Sequence, residues 1–288
     1  MMMLDQLLTL ATAIDEGSLE SAARKLLITP SAVSQRIKAM EQQAGQVLML
    51  RTRPLLPTDA GLAYVRLARQ VAQLSAEAMR EIDATHDSLI VPLAVNADSM
   101  ATWLLQALAP LAAQHHVVFD LHRDDEEHSA NLLRSGTTMA AITARVEPVQ
   151  GCRVTRLGRM RYRAFAHRTI AATYFAGGVS SAALAEAPVV SFDRKDDLQY
   201  RYIKRFTRRA IAPPTHYIPA SHDFARAIEI GLGWGMLPQD QASHPELVDL
   251  TPNVTVDVTL YWQRWKIDSR ILDLVTDAVG SAARAALH

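Results

Sequence analysis

The chain has 288 residues, 49% of them apolar, with 30 basic and 30 acidic residues and a formal net charge of zero. That length suits two or three domains, the apolar share excludes a disordered chain, and no apolar run approaches the ~20 residues of a membrane span. The single cysteine, Cys152, excludes an internal disulfide; it fits a reducing, cytoplasmic setting and is expected as a buried, inert thiol.

The first segment, MMMLDQLLTLATAIDEG, is apolar but holds Asp5, Asp15 and Glu16 and lacks the basic start and cleavage site of a signal peptide. It reads as a helix with Leu4, Leu7, Leu8, Ala11 and Ile14 toward the core. Residues 18–43, SLESAARKLLITPSAVSQRIKAMEQQ, read as two short helices joined by a tight turn. Ser18 suits the N-cap of the first, Thr29 and Pro30 the N-cap and first position of the second, and Gly45 the residue that ends it. On that second helix Val33, Ile37, Met40 and Ala44 fall at buried spacing, while Ser31, Ser34, Gln35 and Lys38 fall on another face. Small hydroxyls, an amide and a cation are the groups that read base edges and hold phosphates in a major groove. Gln35 fits adenine bidentately, Lys38 and Arg36 fit guanine or phosphate, and Ser31 and Ser34 fit phosphate or a thymine methyl.

The stretch VLMLRTRPLLPTDAG then reads as a short hairpin, or wing, whose tip carries Arg51 and Arg53, suited to a minor groove or its flanking phosphates. Between residues 20 and 53 six bases (Arg24, Lys25, Arg36, Lys38, Arg51, Arg53) face two acids (Glu20, Glu41). The zero net charge therefore conceals a locally basic N-terminal region. From Thr58 to about Ala84, Tyr64, Leu67, Val71, Leu74 and Ala78 recur at alternating steps of three and four, a narrow seam suited to pairing with another helix. Arg66, Arg69, Gln70, Gln73 and Glu77 lie off that seam.

Past Ser88 strands alternate with helices: strand 89–95, a helix from Ser99, strand 117–122, a helix containing Ala130 to Ser135, and strand 140–144. Two arginine-rich strands follow within 152–167. Then come strand 188–193, a helix from about Asp196 to Thr207, strand 216–220, a helix from about His222 to Ile230, strand 254–262 and a last helix from about Ser269 to Ala286. This alternation predicts two α/β lobes with a cleft between them, joined by crossing strands.

Open α/β sheets bind ligands beyond the carboxyl ends of their strands. Asn96-Ala97-Asp98-Ser99 lies at such an end, and Ser99 with the free N–H groups after it suits a carboxylate. Thr143 ends another strand. Across the cleft stand Asp193 and Ser221-His222-Asp223. A dibasic ligand needs carboxylates, for which Asp98, Asp193 and Asp223 are the candidates. The acidic run 124–128 lacks a second His or Cys at ligand spacing, so no metal is expected. GxSxG, P-loop and GxGxxG motifs are missing, and GLGWG (231–235) has the wrong spacing, so no enzyme is expected.

AARKLLITPSAVSQRIKAMEQQAG, the wing RTRP with PTDAG, and the following long helix resemble the LysR-type transcriptional regulators. VNADSMATWLL, AAITARVEPVQGC, YWQRWKIDS and the closing helix are similar to the subgroup that responds to lysine or arginine and controls basic amino acid export. The resemblance implies an α+β multidomain chain. A winged helix-turn-helix would span 1–57 and a dimerising linker helix 58–87. A two-lobed, periplasmic-binding-protein-like effector domain would span 88–288, with lobe I at about 88–165 and 264–288 and lobe II at about 166–263. It implies a homodimer or homotetramer on promoter or operator DNA, contact with RNA polymerase, no cofactor and no membrane partner. The DNA-contacting set is then Pro30, Ser31, Ser34, Gln35, Arg36, Lys38, Arg51 and Arg53, and the effector set Asp98, Ser99, Thr143, Asp193, Ser221, His222 and Asp223. The alternatives are a LysR-type regulator of another small metabolite, or a solute-binding protein, against which the N-terminal reader counts.

Overall fold

The computed structural model describes residues 4–82, 88–123 and 126–288, the side chains of residues 126–128 aside. Its first three helices begin where capping chemistry places them. Helix α1 spans Leu4–Glu16. Helix α2 (Leu19–Leu26) starts after Ser18, whose Oγ accepts from the Ser21 N–H at 3.1 Å. Helix α3 (Pro30–Ala44) starts after Thr29, whose Oγ1 accepts from the Ala32 N–H at 3.2 Å. Each such cap is worth about 1 kcal/mol. Gly45, at φ 69°, ends α3. Val33, Ile37 and Met40 are buried in a cluster with Leu10, Ala13 and Ala22, each contributing about 1.5–3 kcal/mol.

Helix α1 departs from its predicted stripe. Leu4 is exposed and Leu8 and Ile14 are half-buried, whereas Thr9, Leu10 and Ala13 are fully covered. The helix packs against α2 and α3 and also against α4 (Asp59–Ile82), so more of its circumference is covered than one periodic stripe describes. The wing is a minimal hairpin, β1 (Met49–Leu50) and β2 (Leu56–Pro57), with Leu50 opposite Leu56. Helix α4 crosses its base at Gly61, where a Cβ would lie 1.8 Å from the Leu48 carbonyl oxygen. Only glycine permits that approach.

The remaining chain forms a nine-stranded sheet. Strands β3 (Leu89–Val95), β4 (Val117–Arg123) and β5 (Ala140–Thr143) are parallel. Between them run α5 (Ala97–Ser99), a π-helical turn (Met100–Leu104), α6 (Leu105–His115) and α7 (Glu126–Ser135). Strand β6 (Cys152–His167) crosses to the second lobe. There α8 (Arg168–Tyr174), α9 (Ser181–Glu186), β7 (Val189–Ser191), α10 (Leu198–Ile203), β8 (Thr215–Tyr217), α11 (Ser221–Glu229), β9 (Trp234–Pro238) and β10 (Leu247–Asp249) follow. Strand β11 (Val256–Trp265) crosses back, and α12 (Arg270–Ala286) closes on the first lobe. The strand order is β4-β3-β5-β11-β6-β9-β7-β8, with β10 beside β6.

One expectation changes here. The arginine-rich pair of strands is one strand, because Gly158 marks a bulge, not a break: the register against β11 shifts between Leu260 and Tyr261, opposite Gly158 and Arg156. Three of its five arginines also tie strands together. Arg161 donates to both oxygens of Asp257 directly opposite, at 3.0 and 3.2 Å; Arg159 stands 4.0 Å from the same carboxylate, and Arg163 donates to Asp249 at 3.5 Å. Among the described residues no helix is long and apolar enough to cross a membrane.

Candidate functional site

Helix α3 presents its free face as the periodicity predicts. Ser31, Gln35 and Lys38 are exposed, Pro30 is exposed at the first helical position, and Ser34 is half-buried. Arg36, one position further round, turns back instead. Its Nη1 donates to Thr9 Oγ1 at 3.3 Å, and its Nη2 lies 4.0 Å from the Asp5 carboxylate. It ties α3 to α1 and stands one position round from Gln35. Arg51 and Arg53 stand exposed at the tip of the wing.

Between the two lobes lies a cavity of about 850 Å³, within the range of small-molecule sites. Asp98, in α5, is its hub. Oδ2 accepts from the Tyr162 hydroxyl of β6 and Oδ1 from the Ser221 hydroxyl of α11, both at 2.7 Å. Gln241 Nε2 donates in turn to Ser221 Oγ at 2.8 Å. Asp98 thus joins one lobe to the other. Burial first, and the Asp98 charge second, push the Tyr162 phenol well above its ordinary range.

A second carboxylate, Asp196, lines the same cavity and was missed in the sequence. Its Oδ2 accepts from the Phe192 N–H at 3.0 Å and the Ser191 hydroxyl at 3.4 Å, and its Oδ1 from the Leu198 N–H at 3.1 Å. Burial pushes its carboxyl above the usual range. The Phe192 and Leu198 N–H groups pull it back, and Asp98 adds to the upward push. Asp193 also borders the cavity, but its Oδ1 accepts from the N–H groups of Lys195 (2.7 Å) and Asp196 (2.9 Å). It builds the turn that aims Asp196. The signal in the sequence was the cluster Asp193–Asp197, within which only folding distinguishes the turn-former from the carboxylate in the cavity.

Asn96, Gln199 and Gln241 also line the cavity, and their side-chain oxygens are buried and accept no hydrogen bond. Thr143 Oγ1 accepts from the Arg145 N–H at 3.1 Å, which leaves its own hydrogen to donate. Arg123 and Arg201 also line the cavity, Arg201 donating to the Asp257 carbonyl at 2.8 Å. Ser99 is fully buried beneath this wall and does not line it. His222 and Asp223 are exposed and, like Ser221, outside the lining: α11 turns Ser221 toward Asp98 and Phe224 into the cavity and carries the two residues between them outward. Among the described residues no cluster suits a metal ion, and the acidic run at 124–128 lies outside the residues whose side chains are described.

A winged reader, a linking helix and a two-lobed domain around an acceptor-rich cavity define a ligand-responsive DNA-binding regulator. Residues 4–62 match the bacterial regulatory helix-turn-helix proteins of the lysR family, and residues 90–283 match the LysR substrate binding domain. The chain belongs to the LysR family, whose members are transcriptional regulators and not enzymes. It is similar to the HTH-type transcriptional regulator LysG of Mycobacterium tuberculosis, at 44% identity over 96% of this chain and 92% of that one. Its structure resembles the crystal structure of ArgP from M. tuberculosis (43% identity, 98% of both chains, TM-score 0.91). It also resembles the full-length LysG of Corynebacterium glutamicum with bound effector Arg (38% identity, all of both chains, TM-score 0.84). A second full-length structure of that LysG superposes less closely, at 0.63 with 37% identity over all of both chains. That relative carries the description "lysine export transcriptional regulatory protein".

Proposed function

We propose that this chain senses a basic amino acid, arginine or lysine, in the cleft of its regulatory domain and adjusts transcription of an amino acid exporter gene accordingly. The observation that carries the reading is the cavity lining. Four carboxylates, Asp98, Asp193, Asp196 and Asp197, line it, with the amide side chains of Asn96, Gln199 and Gln241. A guanidinium has five N–H donors and no acceptor, an ammonium has three, and both carry the positive charge that complements carboxylates, so cations suit this set better than neutral or acidic side chains. The ligand's cation sits toward Asp98 and Asp196, and its carboxylate toward Thr143 and Arg123. Asp193 and Ser221 act through the carboxylates that they orient, and Ser99 supports the wall from behind. The bound arginine and the export role described for LysG of C. glutamicum support the same assignment.

Ser31, Ser34, Gln35 and Lys38 enter the major groove with Pro30 at the helix start, and Arg51 and Arg53 reach the flanking minor groove or phosphates. Arg36 holds the reading helix in place. The protein acts as a homodimer or homotetramer: Leu67 (43% exposed), Met79 (49%) and Ile82 (82%) leave the linker helix with apolar surface that a second copy covers. It works in the cytoplasm, where promoter DNA and RNA polymerase are. The test is a mobility shift on the DNA upstream of a neighbouring exporter gene, with L-arginine, L-lysine and L-citrulline, the last a neutral shape-mimic of arginine. Arginine or lysine changes the shift and citrulline does not. An equal effect of all three, or an effect of citrulline alone, overturns the assignment.

A further inference from the structure

Helix α4 carries a polar face that bonds to the regulatory domain. Arg66 Nη1 donates to the Gln150 carbonyl at 3.0 Å, and Arg80 Nη1 to the carbonyls of His115 and His116 at 3.3 and 3.1 Å. Glu77 Oε1 accepts from the Ser269 hydroxyl at 2.6 Å. Arg69 Nη1 donates to the Ser135 carbonyl at 2.8 Å and to Thr137 Oγ1 at 2.9 Å. All four bind the first lobe of the regulatory domain. Of the four, Arg69 alone also reaches the DNA-binding domain, where its Nη2 donates to Asp15 at the end of α1. Its side chain is only 20% exposed.

We propose that Arg69 is the positioning residue that sets the DNA-reading domain against the regulatory domain, and that its two-sided grip carries the effector signal between them. The proposal rests on reading the cleft as an effector site. Its physical basis is a short, stiff connection. Ser135 ends α7 and Thr137 leads into β5. Helix α7 carries Ser129 and β5 carries Ile142 and Thr143, and all three line the cavity. One helix–turn–strand unit therefore touches the ligand at one end and Arg69 at the other. The turn is itself fixed: Ser135 Oγ bonds Thr137 Oγ1 at 2.8 Å and donates to the Leu132 carbonyl at 3.0 Å. Gly136, at φ 78°, brings the turn so close to α4 that a Cβ there would lie 3.0 Å from Arg66 Cα. A guanidinium spans two directions with planar, pre-set donors, and a lysine ammonium does not. The joint is held by hydrogen bonds, which re-form in more than one arrangement. The two LysG structures differ in how closely they superpose on this chain, with TM-scores of 0.84 and 0.63.

The test uses the full-length protein with Arg69→Ala, Arg69→Lys, Asp15→Asn and, as a control, Arg66→Ala. Arginine binding is followed by calorimetry and operator binding with and without arginine by fluorescence anisotropy. The distance between labels on Gln42→Cys in α3 and Gln106→Cys in α6 is measured without ligand; both sites are exposed, and the native Cys152 is buried. We expect Arg69→Ala and Arg69→Lys to bind arginine as the parent does. They lose the arginine dependence of operator affinity, a coupling of typically about 5–150-fold in regulated proteins, and the distance distribution broadens. Asp15→Asn gives the same result, and adding it to Arg69→Ala brings no further loss. Arg66→Ala keeps the response. An Arg69→Ala protein with intact arginine response and an unchanged distance distribution overturns the proposal, as does loss of arginine binding itself, which marks a role in the lobe alone. Failure of the parent to bind arginine sinks the cavity reading only; the ligand-free distance then still decides for or against Arg69.

Discussion

Replacing Asp98 by Asn separates the charge of the cavity from its shape. The parent carboxylate accepts from Tyr162 and Ser221 at 2.7 Å each. In Asp98→Asn the amide oxygen keeps one of these bonds. The amide NH₂ meets the other hydroxyl, which rotates to accept, because hydroxyls serve in either role. The fold and the bridge between the lobes therefore persist. What is lost is the attraction between a half-buried carboxylate and the ligand's cation. Charge-assisted hydrogen bonds of this kind are worth about 1.5–3 kcal/mol. At about 1.4 kcal/mol per factor of ten, arginine binding weakens by roughly 10–150-fold. Citrulline, which carries no charge on its side chain, loses little. Titration calorimetry of the two ligands against the two proteins measures all four affinities, and thermal melting confirms that the variant is folded. If arginine weakens by less than threefold, or citrulline weakens as much as arginine, the charge does not act as argued here.

Three further outcomes follow from the same geometry. Gln35→Ala erases the preference for operator over random DNA while leaving random-sequence affinity intact, and Arg53→Ala weakens binding to both and lowers the salt slope by about 1; anisotropy titrations across salt concentrations distinguish them. Burial holds the Asp196 carboxyl above the usual range, so its ionised form costs the ligand-free fold stability once pH rises past the ordinary carboxylate value. A bound cation favours that ionised form, so arginine affinity rises as pH climbs through the raised value and binding releases protons there, seen as buffer-dependent heats that Asp196→Asn abolishes. Burial pushes the Cys152 thiol up to about 11, so a thiol-reactive disulfide reagent at pH 8 leaves the native protein untouched and labels it fully in denaturant.

The DNA-binding end was the most legible part of the sequence, because its signals are local. Caps at Ser18 and Thr29, Pro30 at the first helical position and Gly45 at the end fix α2 and α3 without help from distant residues. The period of Val33, Ile37 and Met40 then determines which face is left free. Arg36 escaped that logic because its partners, Thr9 and Asp5, lie about thirty residues away in sequence and only the packing of α1 brings them near. The cleft was legible as a place and less so as a set of residues. Asp98 and Thr143 sit at strand ends, where the rule for open sheets directs attention. Asp196 does not: a turn built by Asp193 delivers it, and such a turn is visible only once its hydrogen bonds exist. His222 and Asp223 were misplaced by one helical step, since the phase of α11 is set by Phe224 and Ile228 packing on Gly235. The off-seam face of α4 carried no signal, as its carbonyl partners belong to segments more than thirty residues onward.

The central claim is that the cleft receives a cation between Asp98 and Asp196. Diffraction from crystals grown with L-arginine tests it most directly. We expect density for the guanidinium against those two carboxylates, with the ligand's carboxylate toward Thr143. Arginine found in the reverse orientation, or bound elsewhere while the cleft stays empty, contradicts it.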